Sequence, residues 1–128
     1  MIKLKVLIVD DDELSLEMME TLLEFNDFQA IKITKPEEAI ELLKREKFDV
    51  IITDYMMPGM NGLAFLKIAR DLSGDAKIVF TTAYMKNLFD DNMKAHGVDR
   101  MFNKPVNVEE ILNYLEEVYW EKEKNKLV

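Results

Sequence analysis

The chain has no cysteine, a single histidine and no long apolar run, and each shortage removes a class of chemistry. Without cysteine there is no disulfide scaffold, no thiol nucleophile and no Cys-ligated zinc or iron–sulfur centre. The lone His96 excludes His-pair metal motifs and leaves little room for a His-based triad. No stretch approaches the roughly 18 apolar residues of a membrane span. The N-terminal apolar stretch, Val6–Val9, is short and ends in three aspartates, unlike a signal peptide. Together with the missing cysteine, this fits a cytoplasmic protein. Basic residues are also in deficit, with 17 Lys+Arg against 25 Asp+Glu and a net charge of -8. A protein that coats DNA needs a basic face to displace counterions, so that role is disfavoured. If this chain does chemistry, carboxylates must carry most of it.

What is present is one domain's worth of alternating periodicities. The 128 residues are too few for separate substrate and cofactor domains. Leu4–Val9 is a continuous apolar run and predicts a strand buried on both faces. Glu13–Phe25 carries Leu14, Met18, Leu22 and Phe25 at helical spacing, with Glu17, Glu20 and Glu24 on other faces. Gln29–Ile33 predicts a weaker strand, and Pro36 opens a helix to about Glu46 with Ala39, Ile40, Leu42 and Leu43 as its apolar face. Strands follow at Val50–Thr53, Lys77–Thr81 and Arg100–Asn103, and helices at Asn61–Leu72, Asn87–Ala95 and Asn107 to about Trp120. Asn107 and Glu110 resemble a capping box, and Val108, Ile111, Leu112, Leu115 and Tyr119 form the last helix's apolar face.

Five strands alternating with five helices predict a doubly wound α/β fold. Its parallel sheet has helices on both faces and the flavodoxin-like order 2-1-3-4-5. In that order, ligands bind outside the carboxyl ends of the strands, where the ends of strands 1 and 3 flank the reversal of winding. The residues at those ends are Asp10, Asp11 and Asp12 after strand 1, and Asp54 after strand 3. Thr82 and Ala83 follow strand 4, and Lys104 and Pro105 follow strand 5. Each has an ordinary reading. Asp12 suits a helix cap, Asp54 a loop acid, Thr82 a strand-end polar group and Lys104 a surface lysine. Their convergence on one edge changes the reading.

Three carboxylates within a few ångströms cannot all stay ionised without a counter-charge. A hard divalent cation supplies one, and magnesium favours oxygen ligands from one or two carboxylates plus phosphate oxygens. Lys104 adds a second positive charge. A cation, a lysine, a hydroxyl and a spare carboxylate suit phosphoryl transfer, with that carboxylate as nucleophile.

Four stretches carry a family resemblance: Val6-Leu-Ile-Val-Asp-Asp-Asp12, Ile51-Ile-Thr-Asp-Tyr-Met-Met-Pro-Gly-Met-Asn-Gly62, Val79-Phe-Thr-Thr-Ala83 and Phe102-Asn-Lys-Pro105. In order and spacing the chain resembles the receiver domain of bacterial two-component response regulators, in particular single-domain chemotaxis regulators, over residues 3 to 120. The resemblance implies that Asp54 accepts a phosphoryl group from a phosphohistidine of a sensor histidine kinase or histidine phosphotransfer protein. It implies Mg2+ held by Asp11 directly and Asp10 through water, with Asp54 and the Met56 backbone carbonyl completing the site. Thr82 and Lys104 would contact the new phosphoryl group, and small Ala83 would leave it room. The peptide before Pro105 is often cis in such domains. Met56 and Tyr84 stand where the family tunes autodephosphorylation.

The implied function is phosphorelay signalling, in which the chain catalyses only its own phosphotransfer and dephosphorylation. It would switch partner binding or self-association, without binding nucleic acid or membrane itself. The face used would combine the helix over 87–95, the strand over 100–103 and the last helix. Met93, Met101, Tyr114, Tyr119 and Trp120 would contribute to it, unless the last two merely cover the end of the core.

One position departs from the pattern. Three residues before the lysine, where an aromatic often turns inward, stands Met101. Its neighbour Phe102 should point to the opposite sheet face. The switch is therefore expected to run through the loop after Thr82 and the helix over 87–95. Most of the nine methionines read as core filler, and His96 reads as structural, at a helix end.

Two alternatives compete with this assignment. A haloacid-dehalogenase-type phosphatase would use Asp10 as nucleophile, but needs Thr or Val at position 14, which is Leu. A flavodoxin-like FMN carrier needs a hydroxyl-rich phosphate loop where this chain has three aspartates. Residues 1–121 read as the receiver domain, and 122–128 as a charged helical extension or tail.

Overall fold

The structure is a computed structural model that describes residues 1–83, 94 and 96–127. Apart from residue 94, the helix expected over Asn87–Ala95, including Met93, lies outside the described residues, as does Tyr84. Five strands form one parallel sheet: β1 (Lys5–Val9), β2 (Gln29–Ile33), β3 (Val50–Asp54), β6 (Lys77–Thr82) and β7 (Arg100–Asn103), in the order β2-β1-β3-β6-β7. A two-stranded antiparallel hairpin, β4 (Met56–Met57) and β5 (Met60–Asn61), stands outside it. Helices α1 (Glu13–Phe25), α2 (Pro36–Leu43), α3 (Gly62–Ser73) and α4 (Val108–Asn125) cover the sheet. The order is the expected one, with the hairpin's two short strands counted in sequence.

The continuous apolar runs are explained by two cores, because successive strand residues face opposite sides. Leu7, Val9, Ile51, Ile78, Phe80 and Met101 pack with Ala39 and Leu43 of α2 and Phe65, Leu66 and Ala69 of α3. Val6, Ile8, Val50, Ile52, Val79 and Phe102 pack with Leu16 and Leu23 of α1 and Ile111, Leu115 and Val118 of α4. Fully burying each large aliphatic or aromatic side chain contributes about 1.5–3 kcal/mol.

The apolar stripe read on α1 is the one misassigned face. Leu14, Met18 and Phe25 are 66%, 57% and 85% exposed, and Leu16 and Leu23 are the buried residues. The helix contains two apolar stripes, and the Asp12 cap sets its phase. Asp12 accepts hydrogen bonds from the Leu14 and Ser15 N–H groups, and the Leu16–Leu23 stripe, seven residues apart, then faces the sheet.

Several element ends shift. β3 includes Asp54 and β6 includes Thr82. α2 stops at Leu43, and α4 runs on to Asn125. Asn107 does cap α4, accepting from the Glu109 and Glu110 N–H groups. Tyr119 packs partly on the core, while Trp120 is 62% exposed and meets it edge to face. Among the described residues, no helix is long and apolar enough to cross a membrane.

At the outer edge of the sheet, Phe102 meets Tyr114 edge to face, with ring centroids 6.1 Å apart. The Arg100 guanidinium lies over both rings, at 5.1 and 5.4 Å. Burial, reinforced by the nearby Asp99 charge, pushes the Tyr114 hydroxyl up from 10.0 to about 12. The folded chain then holds this proton more tightly than the unfolded one. The contribution is complete below pH 10 and is lost as pH rises to about 12. The lysines Lys3 and Lys104, also raised, lose their contributions at alkaline pH as well, so the comparison requires a variant. Thermal melts across this window should show a shallower alkaline loss for Tyr114→Phe than for the wild type. Parallel curves would refute the assignment.

Candidate functional site

The candidate site lies where β1, β3, β6 and β7 end together. A parallel sheet delivers residues distant in sequence to one edge, and here they are Asp10, Asp11, Asp54, Thr82 and Lys104. One carboxylate oxygen from each of Asp10, Asp11 and Asp54 lies within 4.8 Å of the others. Asp54 is buried at 7% exposure, Asp10 is half-buried and Asp11 is exposed. The Lys104 ammonium donates to Asp54 Oδ2 at 2.9 Å and to Asp10 Oδ2 at 3.3 Å. The counter-charge demanded by the acids is thus partly in place within the chain itself. Burial works to lower the Lys104 pKa, but its hydrogen bond to Asp54 and the charges of Asp10 and Asp54 outweigh that and raise it. The ammonium therefore stays charged at neutral pH.

Backbone groups orient the carboxylates. The Met56 N–H donates to Asp54 Oδ1 at 3.2 Å, and the Asp12 N–H donates to Asp10 Oδ1 at 3.0 Å. Asp12 itself is committed to α1. Its carboxylate also accepts the Ser15 hydroxyl at 2.8 Å, the leading cause of its lowered pKa. The helix-cap reading of Asp12 holds. Thr82, 1% exposed, ends β6 and its carbonyl accepts the Lys104 N–H at 2.9 Å. The Lys104–Pro105 peptide is cis, as the resemblance implied. Ala83 is exposed beside Thr82. His96 lies in the turn before Gly97, outside this cluster.

The segment after Asp54, to which the sequence assigns no element, is a closed hairpin. Met56 pairs with Asn61 and Met57 with Met60, and the Gly62 N–H donates to the Tyr55 carbonyl at 2.8 Å. Asn61 then caps α3 by accepting the Ala64 N–H. Gly62 is needed here for space. A Cβ would stand 2.7 Å from Tyr55 Cδ2 and 3.0 Å from both its Cα and its carbonyl oxygen. Tyr55 cannot easily retreat, since its ring packs edge to face on Phe80 at 5.6 Å. Gly62→Ala should therefore cost about 1–3 kcal/mol of stability. Denaturant melts read the loss, and a variant matching the wild type would refute this account.

Met101 is buried in the core on the α2–α3 side, and Phe102 in the core on the α1–α4 side, as alternation requires. No aromatic stands on the Thr82 side at position 101. The polar network of Arg70 with Gly97 and Asp99 is not visible in the sequence. Its partners are dispersed in sequence and match no local motif.

The fold and this edge define a flavodoxin-like α/β domain with three carboxylates and a lysine at its switch point. The chain belongs to the response regulator receiver domain family, which it matches over residues 6–116. It is 31% identical over 117 residues to the two-component response regulator ARR12 of Arabidopsis thaliana, covering 90% of this chain and 20% of that protein. It spans about a fifth or less of the length of the plant relatives it matches. Among solved structures, the chemotaxis response regulator CheY4 of Vibrio cholerae is 30% identical with a TM-score of 0.80, covering 89% of this chain and 97% of that one. A response regulator of Burkholderia pseudomallei, solved with a phosphorylated aspartic acid, a calcium ion and citrate, is 27% identical. Its TM-score is 0.76, and the match covers 95% of this chain and 72% of that one.

Proposed function

We propose that this receiver domain takes a phosphoryl group onto Asp54 from a phosphohistidine of a sensor kinase or phosphotransfer protein in the cytoplasm, and that this switches its binding to a partner or to itself. The observation that carries the reading is a buried carboxylate held 2.9 Å from a lysine, inside a cluster of three carboxylates. The phosphorylated aspartic acid of the Burkholderia relative supports it.

The donor set fits a hard divalent cation such as Mg2+, since all three side chains offer oxygen and none offers sulfur or nitrogen. Asp10, Asp11 and Asp54 would hold it together with the Met56 backbone carbonyl. Bound there, it would offset the negative charge of the phosphoryl oxygens.

The remaining steps belong to the chain. Asp54 attacks phosphorus, the new O–P bond forms as the P–N bond of the phosphohistidine breaks, and the released imidazole nitrogen takes a proton from solvent. Lys104 pairs with a phosphoryl oxygen as its contact with Asp54 is given up. The Thr82 hydroxyl, at the end of β6, donates to another. The chain's chemistry is its own phosphotransfer and dephosphorylation. The output surface is proposed to include β7 and α4, while the helix expected over 87–95 lies outside the described residues.

Acetyl phosphate and Mg2+ should add one phosphoryl group to the wild-type chain by intact mass, located at Asp54 after borohydride reduction and peptide mapping. A group located elsewhere, or none, would overturn the proposal.

A further inference from the structure

Arg70, in the last turn of α3, has no place in the chemistry above, yet its guanidinium makes four hydrogen bonds. One terminal nitrogen donates to the carbonyls of Gly74 (3.1 Å) and Ala76 (2.6 Å). The other donates to the Gly97 carbonyl (2.6 Å) and to Asp99 Oδ2 (3.0 Å). That same Asp99 oxygen accepts the Ile78 N–H at 2.8 Å, and the Asp99 N–H donates to the Ile78 carbonyl at 2.8 Å. Both backbone groups of Ile78 on this side are therefore met by Asp99, one residue before β7 begins. Gly97 admits the guanidinium closely. Its φ is +99°, and a Cβ there would stand 3.0 Å from Arg70 Nε.

The clamp acts on a weakly held strand. β7 has four residues and lies at the sheet edge, and among the described residues it pairs only with β6. Its register decides which core receives Met101 and which receives Phe102, since a one-residue slip exchanges sheet faces. It also carries Lys104 to Asp54, and a one-residue slip would move that lysine by about 3.3 Å. The planar fork of arginine can hold the α3–β6 loop and the approach to β7 at once, which a single ammonium cannot.

We infer that Arg70 and Asp99 are positioning residues for Lys104: from the far end of β7 they seat the strand so that the ammonium meets Asp54. The inference rests on the phosphoacceptor role proposed for Asp54. It gives the Arg70 network a functional consequence, because a displacement near 1 Å far from the reacting atoms can cost up to about a hundredfold in rate.

The test measures uptake of phosphoryl groups from acetyl phosphate, well below the melting temperature, for Arg70→Gln, Asp99→Asn and each combined with Lys104→Ala. Arg70→Gln should slow uptake about tenfold, and Asp99→Asn, which keeps an acceptor oxygen, should slow it less. Calorimetric Mg2+ affinity should not weaken in either variant, because no proposed metal ligand lies on β7. In the Lys104→Ala background, Arg70→Gln should have no further effect. Unchanged uptake in Arg70→Gln, an equal loss with and without Lys104, or weakened Mg2+ binding would each overturn the inference. The NMR signal of the Lys104 ammonium supplies a readout that needs no phosphorylation. It should shift in Arg70→Gln even if the wild type takes up nothing, and that latter result would overturn the phosphoacceptor proposal alone. An unmoved signal would overturn the positioning role.

Discussion

An Asp54→Asn chain should take up no phosphoryl group from acetyl phosphate and Mg2+ under conditions that load the wild type. The substitution keeps the size and shape of the side chain. Its amide oxygen can still accept the Met56 N–H that now meets Asp54 Oδ1, and Lys104 keeps Asp10 as a partner. What is lost is the anionic oxygen proposed to attack phosphorus, and an amide oxygen does not replace it. Circular dichroism should confirm an unchanged fold, and intact mass should show a single unphosphorylated species. Uptake at the wild-type level would place the acceptor elsewhere. If peptide mapping then found it at Asp10, the phosphatase-like alternative would return.

Lys104→Ala should move two observables in opposite directions. Phosphoryl uptake at saturating Mg2+ should fall by about a hundredfold, the scale expected on removing one preorganised donor from a developing phosphoryl charge. Mg2+ affinity should rise. In the present arrangement the ammonium is 2.9 Å from Asp54 and 3.3 Å from Asp10, so it repels a divalent cation and occupies the oxygens that would bind it. Removing it leaves the carboxylates short of counter-charge, which a cation relieves. Initial rates and calorimetry separate the two effects. A slowed reaction with weaker metal binding would indicate general collapse of the site, and an unchanged rate would remove Lys104 from the chemistry. Lys104→Arg should recover only part of the rate, because a guanidinium cannot reproduce the point contact of an ammonium.

The pattern of elements was legible because β1, β3 and β6 carry short apolar runs separated by helical periodicity. Gln29–Ile33 and Arg100–Asn103 were located to the residue. α1 was located too, but with the wrong face turned inward. Its sequence holds both the Leu14–Met18–Phe25 stripe and the Leu16–Leu23 stripe, and periodicity alone cannot rank them. The β4–β5 hairpin leaves no signal in the sequence, since two-residue strands carry no period. The expectation for Met101 and Phe102 held because alternation along a strand follows from backbone geometry alone.

Asp54, its acidic neighbours and Lys104 were visible as strand-end residues because a parallel sheet places every strand's carboxyl end on one edge. That much follows from covalent order and handed connections. Distances do not. The Lys104 bridge between Asp54 and Asp10, the closeness of Gly62 to Tyr55 and the Arg70 clamp on Gly97 and Asp99 join residues far apart in the chain. The amino-acid order by itself determined the chemistry available at the site and the edge on which it gathers. Tertiary packing alone decided which charges pair, which side of α1 is buried and what seats the last strand. Those outcomes depend on how whole faces of helices and sheet compete for burial, and no local pattern records that competition.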